Sequence, residues 1–505
     1  MRKPQLALAA CALVVSMAGL PAARANPPGG LDTAQRAVLR SIAADTWRFF
    51  EKDVDPATNL PLDNLGPGTT RGTYTSSANV GVYLWAVVAA HDLGLITRHD
   101  ADARISGTLH EVAQLQRSHG FLYQWYDTTT GAVITNPGEA ACAQVGGTTD
   151  NCSFLSAVDN GWYASGLVVV REALPELSAL AISLLQEMDF SIFYDDRPQT
   201  DCNVNADIGN QPTGQMYGGY YAGVGPAGYH NGAIYSDPRI AMYMGMGLHQ
   251  MPGAVWWRTW RTLPPKRCDT DPDFSWQGQW PVGGYWTTIT DPLSGKQFPV
   301  WEGHYTYPGT SLTYLPTWAG GMFEALMANE VVPETTWGPR GFGLADQRTA
   351  DVQIKYATEQ LHYPVWGLSP SSTADDSGGY GGFGVEGQLF PAGSQLSQCS
   401  TCGSETTATP HASFLALAVA PQRAYANIAA LRRLYPDVYT SDGGFYDAVN
   451  PTTGAVGHRR LVLDQSMIMA ALDNALNHGQ MQRWFAADPV SSAAHQVLAA
   501  ETMSL

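Results

Sequence analysis

The sequence predicts an all-α fold, an (α/α)6 toroid carrying small β-hairpins in the loops of one face. Three observations lead there. Apolar residues recur at helical spacing in about a dozen segments of the 505-residue chain. No run of strand-like alternation separates these segments, and the loops between them are long and rich in Gly, Trp and Tyr. Six helical hairpins closed into a ring, with inner helices apolar all round, accommodate that pattern.

In chain order, the periodicity predicts helices from Asp32 to Glu51, Ser76 to Leu95, Asp100 to Arg117, Phe154 to Leu174, Glu176 to Met188 and Pro238 to Leu248. It continues with Thr313 to Met327, Ala345 to Leu361, His411 to Val419, Pro421 to Leu434, Val462 to Leu476 and Ser491 to Thr502. Phe121 to Tyr126 and Gly283 to Ile289 read as short strands of hairpins. The loops Gly214 to Tyr229, Asp269 to Pro308 and Tyr363 to Phe390 are long enough to be either functional or disordered, and their aromatic content favours function. Gly378 to Gly382 follows no strand and reads as a flexible loop. With no Pro- or Ser-rich linker after the leader, residues 26 to 505 are expected to form one domain.

Residues 1 to 25 have the pattern of a secretory signal peptide: Arg2 and Lys3, the apolar run Leu6 to Leu20, and Ala23-Arg24-Ala25 before Asn26. The chain is therefore expected to be secreted or periplasmic. Leu8-Ala9-Ala10-Cys11 resembles a lipobox, although the apolar stretch before Cys11 is short. The leader holds three basic side chains and no acid, so the remaining 480 residues carry 45 acidic against 25 basic groups, net −20. Such a balance argues against nucleic-acid binding, which needs a basic footprint. No later run approaches the ~18 apolar residues of a membrane span, and a monomer without stable membrane insertion is expected.

Six cysteines remain, an even number that suits disulfides in an exported chain. Proximity favours Cys142 with Cys152, Cys202 with Cys268, and Cys399 with Cys402, among 15 possible connectivities. Cys399-Ser-Thr-Cys402 has the alternative of a redox or half-zinc motif, without the second CxxC or βαβ pattern that would accompany either. No nucleotide, serine-hydrolase or zincin motif occurs. Asp269, Asp271 and Asp273 alternate like a calcium loop but lack its Gly and terminal Glu. No metal and no cofactor are expected.

Several acids sit where surface acids do not. Asp159 lies on the apolar stripe between Leu155 and Trp162, either bridging core helices or facing a cleft. Asp464, framed by Leu461 and Ile468 with Gln465 beside it, reads as a catalytic acid or base, or as the N-cap of the last inner helix. Asp237, in Ser236-Asp237-Pro238-Arg239, has the form of an N-cap followed by Pro at the first helical position, and a helix dipole there would oppose a general-acid role unless burial outweighs it. Trp301-Glu302-Gly303-His304-Tyr305 and Trp318 to Glu324 place acids among aromatics and glycines, the composition of a glycan cleft; each Glu could equally anchor a loop.

An ordered set of motifs carries a resemblance. Thr75 to Gly81, Phe121 to Asp127, Ser156 to Gly161, Tyr235 to Ile240, Trp318 to Leu326, Trp366 to Pro370, Gly443 to Ala448 and Leu463 to Gln465 together resemble the glycoamylase-like domain of bacterial endo-β-1,2-glucanases and of cyclic β-1,2-glucan synthases. The resemblance spans Ser41 to Leu476. It implies an (α/α)6 toroid and a glycosidase that inverts, acting on an oligo- or polysaccharide. It further implies Asp237 as general acid, at a position where the family usually has Glu; the apolar surroundings of Asp464 make it the expected base. Asp159, Glu302, Glu324 and Asp447 would bind hydroxyls or tune the pair, and Trp162, Tyr305, Trp318, Trp366 and Tyr446 would line the groove. Pro370 stands where the synthase-type domain has Glu, so retaining transglycosylation is not implied. A glycan-binding protein without catalysis and a polysaccharide lyase are the alternatives, the first motivated by the shorter side chain at Asp237. Asp159, Asp237, Glu302, Glu324 and Asp464 are expected on one face of one ring.

Overall fold

The computed structural model describes residues 30–197, 214–262, 283–307, 309–317, 320–385 and 407–505. It is 46% helical. The described helices are α1 (Thr33–Phe50), α2 (Ser77–Asp92), α3 (Arg98–Gln114), α4 (Ala157–Ala173), α5 (Ser178–Gln186), α6 (Arg239–Gly247), α7 (Ala254–Arg258) and α8 (Met322–Leu326). They continue with α9 (Glu334–Trp337), α10 (Phe342–Lys355), α11 (Pro410–Leu415), α12 (Pro421–Leu434), α13 (Val462–Leu476), α14 (Gln480–Ala487) and α15 (Ser491–Ala500).

Two kinds of helix alternate. In α2 every residue from Ser77 to Ala90 is buried, and α13 and α4 are nearly as enclosed. By contrast α3 buries one stripe, Ala101, Ile105, Thr108, Leu109 and Val112, and α12 buries Ala424, Asn427, Ile428 and Leu431, so these lie outside. The enclosed helices touch in succession: α2 packs on α4, α4 on α6, α8 on α11, α11 on α13, and α13 on α2 again. Between α6 and α8 the link is polar, from the Arg239 guanidinium to the carbonyls of Glu324 and Ala325. This arrangement is consistent with an α/α toroid. Buried apolar side chains form one cluster that includes residues from Leu31 to Met503.

Some predicted boundaries move. The segment from Thr313 begins as a two-residue strand, and the helix starts only at Met322, after Gly320 and Gly321 break the pattern. Helices α7, α9 and α14 are shorter than the window periodicity needs. Gly283–Thr290 and Gln297–Thr306 pair as one long antiparallel hairpin, larger than predicted. Tyr380–Gly381, expected in a flexible loop, pairs instead with Ser371–Ser372. Cys142 and Cys152 are bonded as expected; Cys202, Cys268, Cys399 and Cys402 lie outside the described residues.

The tightest helix contact, α2 against α4, depends on glycine. A Cβ on Gly81 would overlap the carbonyl of Trp162, and one on Gly166 would lie 2.5 Å from the carbonyl oxygen of Gly81. Gly81→Ala is therefore expected to lower stability by about 1–3 kcal/mol through overpacking. Gly228→Ala, where a Cβ meets nothing within 4 Å, should stay near wild type. Parallel denaturant melts of the two variants check this.

Candidate active site

The amino-terminal ends of the enclosed helices gather their polar side chains on one face. Asp159 enters in the first turn of α4, whose N-cap Ser156 accepts a hydrogen bond from the Asp159 backbone N–H at 3.2 Å. Asp464 enters in the first turn of α13, which starts at the residue after Leu461 and has no side-chain cap. Asp237 precedes α6, which also starts without a side-chain cap. Neither aspartate is a helix cap. At α6 the ordering is done by Arg239, which donates to the carbonyl of Ser236 at 2.9 Å and to both carboxylate oxygens of Glu334 at 2.7 and 2.9 Å. Because the same guanidinium reaches the Glu324 carbonyl at 3.1 Å, it fixes the turn bearing Asp237 relative to the start of α8.

Two carboxyl groupings result. In the first, Asp237 faces Asp159. Burial, and then the charge of Asp159, push Asp237 up to about 7, against the lowering influence of Arg239. Asp159 is itself raised by burial, although Gln124 donates to it at 2.8 Å. In the second, Asp464 meets Asp447, whose Oδ2 accepts the Ser372 backbone N–H at 2.9 Å. Burial pushes Asp464 up to about 7, with hydrogen bonding from Asp447 working the other way. Asp447 is raised well above the carboxylate range by burial and by Asp464, so the pair holds a proton.

Sequence reasoning missed four neighbours. His411, in the first turn of α11, is 1% exposed and its Nδ1 lies 3.3 Å from Asp464 Oδ2. Burial lowers it to about 4, so the imidazole is neutral and the contact is no ion pair. Asp63 accepts from Asn79 Nδ2 at 2.9 Å, and Arg459 stands 3.6 Å from its other oxygen. Tyr380 is 55% exposed overall, yet its phenol is raised by burial and by the charges of Asp464, Asp447, Glu324 and Asp63. Tyr380 is thus an exposed residue near enough to these four acids to feel their charge. Thr409-Pro410-His411 echoes Ser236-Asp237-Pro238 as a helix start and was the one available signal; Asp63, Tyr380 and Arg459 had none.

The structure pairs Asp159 with Asp237 and Asp447 with Asp464, and the charge of Glu324 reaches Tyr380 together with those of the second pair. Tyr446 is half-buried, with Arg460 3.7 Å over its ring. Other expected members are elsewhere. Glu302 is buried between the long hairpin, the segment after α7 and the carboxy terminus, 3.9 Å from Arg261, and burial and the charge of Glu501 push it up to about 8. Trp162 packs edge-on against Trp85 in the core. Tyr305 is buried against Tyr314, and Trp366 is clasped through its backbone by Asn427. These aromatics are enclosed, because a helix or strand surrounded on all sides buries aromatic rings as readily as leucines. Trp318 and the three alternating aspartates lie outside the described residues.

Comparison with known proteins bears on this face directly. Residues 289–489 match the Glycoamylase family model, described as "Putative glucoamylase". Residues 41–221 match a second family, described as a protein of unknown function (DUF3131). The glycoamylase-like region contains Glu324, Tyr380, His411, Asp447 and Asp464; Asp237 falls between the two matched segments. The cyclic β-(1,2)-glucan synthase NdvB of Rhizobium meliloti (strain 1021) is 23% identical over 91% of this chain. The chain spans only 18% of the length of that relative. In fold, it is similar to the endo-β-1,2-glucanase of Chitinophaga pinensis, solved with sophorotriose and glucose, at a TM-score of 0.62 and 16% identity over 93% of this chain and 98% of that one. The β-1,2-glucanase of Parabacteroides distasonis gives a TM-score of 0.64 at 14% identity, over 92% of this chain and 60% of that one.

Raised carboxyl groups carry a sign for stability. The folded Asp464 binds its proton up to about pH 7, against 3.8 for a free side chain, so its contribution is fully present below about pH 4 and is lost as pH rises through 7. Asp464→Asn is expected to remove that loss. Its melting temperature should fall less than wild type between pH 5 and pH 8, a difference of a few kcal/mol at most. Thermal melts at the two pH values test it, and equal falls would contradict the burial of the charge.

Proposed function

We propose that this protein is a glycoside hydrolase with one (α/α)6 toroidal domain that cleaves a β-glucan, β-1,2-linked, with water as the acceptor and inversion at the anomeric carbon. The observation that carries the reading is the pair of buried carboxyl groupings at the starts of α6 and α13, each with one member pushed up to about 7. The likeness in fold to β-1,2-glucanases supports the substrate class. Asp237 acts as the general acid: burial and Asp159 keep its proton on at neutral pH, outweighing the dipole of the short helix behind it. Asp464 acts as the base. Its Oδ2 has no hydrogen-bond partner, and Asp447, holding the proton between them, orients the carboxylate without consuming that lone pair. Inversion requires the two carboxyls far enough apart to admit water, roughly 6.5–9.5 Å or more where a substrate hydroxyl relays the proton. Their placement on different helices suits that. Glu324 and Asp63 are assigned to sugar hydroxyls, with Tyr380 and Tyr446 as the stacking faces.

Export is part of the proposal. The leader pattern and the Cys142–Cys152 bond both suit an oxidising compartment, and no helix of the described residues is long and apolar enough to cross a membrane.

Release of reducing ends from linear β-1,2-glucan is the decisive measurement; binding without release would identify a glycan-binding protein, and an unsaturated product would identify a lyase. Asp237→Asn and Asp464→Asn should each lower kcat at least about a hundredfold, with folding retained. Should Asp237→Asn keep near-normal turnover, Glu324 becomes the acid, since Glu302 lies elsewhere. The base must be unprotonated and the acid protonated, so kcat/KM should rise as pH approaches about 7 and fall beyond it. A flat profile from pH 5 to 9 would sink both assignments.

A further inference from the structure

We propose that His411, Asp447 and Asp464 form a binding site for one divalent first-row transition ion, and that an ion held there blocks the base. One ligand atom from each side chain lies within 4.8 Å of the others. A tetrahedral ion about 2.0–2.2 Å from each ligand sets those atoms roughly 3.4 Å apart; His411 and Asp464 are already at 3.3 Å, and Asp447 must close by at most about 1.4 Å. The ligand atoms are available. Both ring nitrogens of His411 and Oδ2 of Asp464 are buried without a hydrogen-bond partner, although buried polar atoms are paired nine times in ten, and Oδ1 of Asp447 has none beyond the proton shared with Asp464, which the ion would displace. His411 is 1% exposed, and its Nδ1 lies 3.3 Å from Asp464 Oδ2.

Chemistry selects the ion. One neutral imidazole with two carboxylates is a borderline nitrogen and oxygen set, suited to Zn2+, whereas Ca2+ and Mg2+ prefer all-oxygen shells. Charge agrees, since two carboxylates and a neutral ring balance a divalent ion, and such a site competes with protons for its ligands. The blocking half of the proposal rests on the hydrolase reading. Asp464 Oδ2 is both a metal ligand here and the lone pair assigned to accept a proton from water, so the two uses exclude each other.

Calorimetric titration of the full chain, stripped with EDTA, with ZnCl2 at pH 7.5 tests the site. Wild type should bind one ion that His411→Phe and Asp447→Asn each weaken at least tenfold, both variants having first been shown to melt cooperatively. The same ion should raise the wild-type melting temperature and leave that of His411→Phe unchanged. No binding, or equal affinity in wild type and both variants, overturns the site. Zn2+ at site-filling concentration should reduce reducing-end release by wild type at least tenfold, reversibly with EDTA. Binding with undiminished turnover overturns the blocking half. A protein that releases no sugar at all fails the hydrolase reading, while the titration still decides whether the ion binds.

Discussion

A helix buried along its whole length can meet solvent only at its ends, and everything functional in this protein depends on that constraint. In α2, α4 and α13 the lateral faces are consumed by packing, to the point that Gly81 and Gly166 bring backbones into contact. Polar side chains within these helices therefore concentrate in the first and last turns. Asp159 and Asp464 sit in the first, His411 likewise on α11, and Asp237 immediately before α6. Closing the succession of helices brings separate first turns together as a single acidic face.

That face is costly to assemble. Helix amino termini favour carboxylates, yet burial dominates at Asp159, Asp237 and Asp464 and raises all three. Two neighbouring carboxyls in an enclosed site cannot both ionise at little cost, so each grouping keeps a proton and divides the roles between a holder and a partner. The cations nearby do structural work. Arg239 is committed to Glu334 and to backbone carbonyls, and Arg459 to Asn64 and Tyr74 as well as Asp63. Neither neutralises the centre of the site, which is why protons, and by inference a divalent ion, take that part.

Much of this was legible beforehand. The helical period placed nearly every long helix; Asp159 and Asp464 stood out as acids on apolar stripes, and Asp237 and Asp447 through the motifs that carry the resemblance. Aromatic residues were the weak signal. Trp162, Tyr305 and Trp366 share the Gly- and acid-rich surroundings of a sugar platform, but that composition also marks close packing, where a missing Cβ makes room for a ring. Tyr380 supplies the exposed ring instead, held by a two-residue ladder too short to show any period.

The sequence by itself determined the helices, because amphipathic period and turn residues act over a few neighbouring positions, and it singled out acids whose apolar neighbours made full solvation impossible. Only the tertiary structure decided which acids meet. Asp63 and Asp464 are some 400 residues apart in the chain, yet the Val462 backbone N–H donates to the Asp63 carbonyl. Glu302 and Glu324, similar in local composition, separate into a hairpin junction and the acidic face. Burial and charge coupling depend on distances through space, and those arise when the enclosed helices pack, from contacts that no local pattern encodes.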